Sequence, residues 1–112
     1  KYSPMKLEIE NDTINISLNI KNIGAFPGKE VVQFYTEKLN SIIKRPSQEL
    51  KSFAKTKRLE NNESINISVK IPIKELSYWN ETINDWSLEK GEYNIKVGGS
   101  SRNISQILKI NL

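Results

Sequence analysis

Strict alternation of apolar and polar residues is the feature that most limits what this chain can become. Ile14, Ile16, Leu18 and Ile20 alternate with Asn15, Ser17, Asn19 and Lys21, and Ile65, Ile67, Val69 and Ile71 alternate with Asn66, Ser68 and Lys70. Successive side chains of an extended strand point to opposite faces, so a period of two gathers each apolar set on one side. Such a side is stable only when covered, which predicts half-buried antiparallel strands in a layered all-β domain. Weaker alternation recurs at Met5, Leu7 and Ile9, at Tyr93, Ile95 and Val97, and at Leu108, Ile110 and Leu112. The segment Val31-Val32-Gln33-Phe34-Tyr35 is apolar on both sides, as a central strand requires.

Turn chemistry separates these segments. Asn11-Asp12 is suited to a tight hairpin turn, residues 24–28 hold Gly24, Pro27 and Gly28, and Glu60-Asn61-Asn62-Glu63 precedes another strand. Gly91 and the run Gly98-Gly99-Ser100-Ser101 punctuate the end. No segment keeps a 3.6-residue period for three turns. The expectation is one immunoglobulin or fibronectin type III-like antiparallel β-sandwich of about seven strands, spanning residues 1–112. Its two long connections, 38–47 and 80–85, are where a sandwich usually keeps its contacts.

A chain of 112 residues can bury a hydrophobic core without a metal or disulfide to hold it. It contains neither cysteine nor histidine. That removes thiol chemistry, zinc-thiolate sites, the commonest general base near neutral pH and every Ser-His-Asp or Cys-His design. Paired carboxylates are the remaining route to catalysis, and the candidates are Glu8 with Glu10 and Glu81 with Asp85. A glycosidase pair must flank a sugar-sized cleft, whereas acids two apart on a strand are ordinary surface charges. No catalytic residue, metal site or cofactor is assigned on this basis.

The net charge is +4, yet the basic residues are interleaved with 13 acids throughout. No segment offers more than Lys55, Lys57 and Arg58 in close order, which reads as a solvated surface and not a nucleic-acid stripe. No apolar stretch approaches the ~20 residues of a membrane span. A soluble domain, cytoplasmic or secreted, is expected. The chain starts at Lys1 and reads as a piece of a longer polypeptide.

Binding is a different matter. Tyr78, Trp79 and Trp86 can serve hairpin packing, a protein interface or a sugar platform. Arg45-Pro46 stands ahead of Glu49 and the apolar anchors Leu50 and Phe53. Arginine can fork onto a carboxylate or carbonyl while proline stiffens the loop, which suits a docking element as well as a solvated loop entering an edge strand. Six glycosylation sequons begin at Asn11, Asn15, Asn62, Asn66, Asn80 and Asn103, as an asparagine-rich chain produces by chance.

The order Asn22-Ile23-Gly24, then Gly28-Lys29-Glu30-Val31-Val32-Gln33-Phe34-Tyr35, then Arg45-Pro46 through Leu50 and Phe53 resembles the fibronectin type III-like domain closing many family-3 glycoside hydrolases. Trp86, Glu89-Lys90-Gly91-Glu92-Tyr93 and Val97-Gly98-Gly99-Ser100-Ser101-Arg102 resemble its final strands, and Tyr2-Ser3 its entry. Ser52 stands where glycine is usual, and Gly99 where serine is. Such enzymes are mostly β-glucosidases and β-xylosidases that retain configuration, using an aspartate nucleophile and a glutamate acid/base in preceding domains. The resemblance therefore implies an accessory module from the C-terminal end of a longer glycosidase, without an active site of its own. It would pack against the catalytic domains through Arg45, Pro46, Glu49, Leu50 and Phe53; Trp79 and Trp86, read from the residues alone, are candidates for a sugar or an interface. The alternatives are a non-enzymatic adhesion module and a free-standing carbohydrate-binding module.

Overall fold

The computed structural model describes residues 1–112 and is an all-β sandwich. Its strands are β1 (Lys6–Glu10), β2 (Thr13–Lys21), β3 (Val31–Lys38), β4 (Glu49–Lys55), β5 (Ser64–Pro72), β6 (Tyr78–Asn80), β7 (Asp85–Ser87), β8 (Glu92–Ser100) and β9 (Asn103–Asn111). One sheet has the order β1-β2-β5 and the other β4-β3-β8-β9, with every pairing antiparallel. These two sheets hold the seven strands expected, and the short hairpin β6-β7 stands outside them. The only helix is a single 3-10 turn at Ile73–Leu76, and no helix is long and apolar enough to cross a membrane.

The alternating segments form the inner wall as their period requires. Ile14, Ile16, Leu18 and Ile20 of β2 pair with Ile71, Val69, Ile67 and Ile65 of β5. Opposite them stand Val32 and Phe34 of β3 with Tyr93, Ile95 and Val97 of β8, all at 1% exposure or less. Met5, Leu59 and Leu76 close the core at its margins. Truncating Phe34 here is the kind of change that costs about 3–5 kcal/mol, because a close-packed interior relaxes only partly around the void.

Local chemistry sets the connections. Asn11 and Asp12 both have positive φ, 51° and 59°, the conformation that lets a two-residue turn match the strand twist of β1 and β2. Asn22 organises the β2-β3 loop, its amide donating to Phe26 O at 2.9 Å and Leu59 O at 2.8 Å while Gly24 N–H donates back to its carbonyl oxygen at 2.9 Å. This accounts for asparagine and glycine two apart at the end of a strand.

Two features differ from the sequence expectation. The glycines at 98 and 99 do not form the turn. They lie inside β8, and the chain reverses at Ser101-Arg102. Gly98 is needed there because a Cβ would stand 2.2 Å from Asn103 O and 2.8 Å from Ile104 Cα, at a point where the β8-β9 register shifts. Residues 80–85 are likewise not an open connection. Asn80 and Asp85 pair as the last rung of the β6-β7 hairpin, leaving only 81–84 as its tip.

Candidate docking surface

The outward faces of the two sheets are chemically unlike. On the three-stranded sheet, β2 and β5 present Asn15, Ser17, Asn19 and Lys21 beside Ser64, Asn66, Ser68 and Lys70. Asn19 donates to the Asn66 side chain at 3.0 Å across this face, which is polar throughout. On the four-stranded sheet, Val31, Leu50, Phe53 and Ile107 are 39%, 51%, 59% and 58% exposed. Val31, Leu50 and Phe53 lie together on the neighbouring strands β3 and β4, a grouping that suits an interaction surface, whereas Ile107 stands on the far edge strand β9.

A β-bulge creates the apolar edge of that surface. Phe53 pairs with Gln33 and Leu50 with Tyr35, with a register shift between them that leaves Lys51 as the additional residue of β4. Gln33 and Tyr35 share the outer face of β3, so Leu50 and Phe53 do as well. Ser52 and Ala54 pair with Phe34 and Val32 and face inward. The bulge also bends β4, an edge strand, which discourages pairing with a foreign strand. Towards the middle of the sheet the face turns polar, where Lys96 bonds Glu37 at 3.2 Å and the Gln48 amide oxygen at 3.0 Å. Bonds from the Asn94 amide and from Lys96 hold the Glu37 carboxyl below the usual range against the opposing effect of burial.

Loop 39–48 at the end of the sandwich is built on a partly buried carboxylate. Glu89, its side chain 9% exposed, accepts from Ser41 Oγ at 2.7 Å, from Ile42 N–H at 2.8 Å and from Arg45 Nη2 at 3.2 Å. Arg45 also donates to Leu76 O at 3.3 Å, lies 4.0 Å from Glu49 and stacks 5.9 Å from the Tyr78 ring centroid. Burial pushes the Glu89 carboxyl up, but the Ser41 hydroxyl, the Ile42 N–H, Arg45 and Lys38 together outweigh it and leave the group below its ordinary value. The Tyr93 hydroxyl donates to Glu89 O at 2.6 Å from below, and burial raises its phenol.

Trp79 and Trp86 face each other across the β6-β7 hairpin with ring centroids 5.5 Å apart at 80°, an edge-to-face contact. They pack on one another and still leave 45% and 61% of their surface exposed. Trp86 borders an open groove with Glu49, Lys51, Lys74, Glu75 and Ser77. No three acidic, histidine or cysteine side chains converge in a way that could hold a metal ion.

Residues 30–101 match the family described as the fibronectin type III-like domain. The chain belongs to that family. It is 39% identical over 95 residues to thermostable beta-glucosidase B of Acetivibrio thermocellus, covering 85% of this chain and 12% of that protein. It is 41% identical over 113 residues to the beta-glucosidase of Kluyveromyces marxianus, covering 95% of this chain and 13% of that protein. Among solved structures, beta-glucosidase 3B from Thermotoga neapolitana superposes with a TM-score of 0.91 at 36% identity, over 99% of this chain and 15% of the other. The GH3 beta-glucosidase of Bifidobacterium adolescentis gives 0.92 at 30% identity, over 99% and 16%. The fibronectin type III-like domain thus spans roughly an eighth to a sixth of the relatives it matches.

Within the fibronectin type III-like domain, the residues singled out from sequence fall into two groups. Leu50, Phe53, Trp79 and Trp86 are presented outward, and Pro46 is exposed in its loop. Arg45 forks onto a carboxylate and a carbonyl, but both belong to this chain, Glu89 and Leu76. Glu49 bonds Lys51 at 3.2 Å as well as facing Arg45. Arg45 and Glu49 are thus engaged within the chain, while Leu50 and Phe53 stand exposed. Glu89 and Ile42 carry roles that sequence reasoning did not assign. A lone glutamate ahead of Gly91 gives no sign of its partners 44–48 positions earlier.

Proposed function

We propose that this domain is a non-catalytic module of a glycoside hydrolase, which packs against the catalytic part of the same polypeptide and stabilises it. The observation that carries this reading is the asymmetry of the sandwich. The outer face of β2 and β5 in one sheet is polar, while on the outer face of the other sheet β3 and β4 expose Val31, Leu50 and Phe53. A domain free on all sides has no use for that difference. The beta-glucosidases it matches, in which it corresponds to 12–13% of the length, supply the class of partner. Hydrolysis of the parent's substrate belongs to carboxylates outside this chain.

Removing the module from the parent enzyme tests the reading. The expected result is a lower melting temperature and soluble yield with unchanged preference among glycosidic bonds, since no catalytic constellation is lost. Unchanged melting with abolished turnover would refute it.

A second reading has one observation in its favour. Trp86 offers an exposed indole beside Glu49, Lys51, Lys74 and Glu75, a combination of stacking face and hydrogen-bonding groups suited to a sugar ring. Titration with oligosaccharides, repeated with Trp86→Ala, decides it: binding lost in the variant supports a sugar site, and no binding by either removes it.

A further inference from the structure

Loop 39–48 has no regular secondary structure, yet it is fixed from beneath. Ser41 and Ile42 both donate to Glu89, Ser41 Oγ accepts from Ile43 N–H at 3.1 Å, and Arg45 spans Glu89 and Leu76 O. Asn40 takes a positive φ of 53° to begin the reversal. What this arrangement holds in place is the backbone that carries Ile42, whose side chain at 89% is the most exposed of the large hydrophobic residues. Exposed lysines, Lys44 and Lys90, lie two positions along the loop and next to the clamping carboxylate.

A buried carboxylate and guanidinium gain little net stability, because desolvating both ions offsets their attraction. Such a pair is better understood as fixing geometry. Ordering a loop before association removes part of the entropy that docking otherwise loses, which is useful only if the loop meets a partner. A single exposed isoleucine calls for no explanation by itself. One carried on a clamped loop backbone, with exposed Lys44 in the same loop and exposed Lys90 next to the clamping Glu89, does.

We infer that Ile42 is the knob through which loop 39–48 seats in an apolar recess of the adjoining catalytic domain, a recess rimmed by carboxylates that meet Lys44 and Lys90. Glu89 is its positioning residue. The inference rests on the packing role proposed above and adds to it one defined contact, separate from the Leu50 and Phe53 face.

Cysteine labelling in the full-length enzyme tests it, with single replacements Ile42→Cys, Phe53→Cys and Asn66→Cys and peptide mass spectrometry to follow maleimide attachment. Rates are normalised to the urea-unfolded protein. Ile42→Cys is expected to react at least about ten-fold more slowly than Asn66→Cys, whose site is on the polar face. Adding Glu89→Gln should raise the Ile42→Cys rate by about three-fold or more while leaving Asn66→Cys unchanged. Fast labelling at Ile42→Cys with slow labelling at Phe53→Cys would overturn the inference and leave the packing role standing. Fast labelling at all three sites would overturn both, and indifference of Ile42→Cys to Glu89→Gln would remove the positioning role.

Discussion

Replacing Glu89 by alanine puts the clamp to a quantitative test. The substitution removes the acceptor of three hydrogen bonds, at 2.7, 2.8 and 3.2 Å, and leaves the Arg45 guanidinium only 12% exposed. Breaking a buried ion pair by deleting one partner typically costs about 3–5 kcal/mol, since the remaining charge stays buried without compensation. Glu49, 4.0 Å from Arg45, and the Leu76 carbonyl moderate this, so the lower end applies, about 3 kcal/mol. For a domain of this size that is a fall of about 12 °C in melting temperature. Urea titration of the 112-residue chain measures it, with an unchanged denaturant slope expected because the sandwich itself persists. Arg45 Nε is already buried without a partner, so the native pair is imperfect. Arg45→Met added to Glu89→Ala should therefore recover about half the loss by removing the orphaned charge. A single-variant effect below about 1 kcal/mol, or a double variant as unstable as the sum of the two singles, would refute the reasoning.

Acid should weaken the fold through Glu89 and Glu37, whose carboxyls titrate below their ordinary value. A depressed folded pKa contributes stability above the unfolded value, and that contribution is lost as pH falls through the folded one; melting curves from pH 6 down to about 3 should show the decline, reduced in Glu89→Gln. Gly98→Ala should destabilise by about 3 kcal/mol or more, since its Cβ would meet backbone at 2.2 Å, whereas Gly28→Ala, with nothing within 4 Å, should be near neutral by the same urea titration. Asp12→Gly should raise stability by up to about 1 kcal/mol, because Asp12 holds φ at 59° in a two-residue hairpin turn, and a lower melting temperature would count against that account of the turn.

The core was legible because burial and periodicity are the same signal here. Every inward residue of β2 and β5 was visible as an alternating isoleucine, leucine or valine, and the paired positive φ of Asn11 and Asn-adjacent Asp12 follows from turn chemistry alone. Gly98 misled because glycine serves two purposes. Its type suggests a turn former, and in the fold it marks a place where two backbones approach too closely for a side chain. Trp79 and Trp86 are legible as aromatics for packing, an interface or a sugar, but the strands that carry them are three residues long, too short for alternation to show. Arg45 is legible in the sequence as a forked donor. Its acceptors lie 31 and 44 positions away, and nothing local in the chain distinguishes an acceptor in the same domain from one in a neighbour.

The outer face depends on a detail that periodicity cannot supply. Leu50 and Phe53 are three positions apart, so a regular strand would send them to opposite faces and place one of them against the core. The bulge at Lys51 cancels that parity and sets both beside Tyr35 and Gln33. A single inserted position thus converts an edge strand with one inward and one outward anchor into a strand with two outward anchors, while Ser52 and Ala54 turn inward. Because a bulge also bends the strand and interrupts its free edge, the same residue that presents the apolar pair keeps β4 from recruiting a foreign strand. Such an edge suits side-chain docking against a folded neighbour, the packing role proposed for this domain.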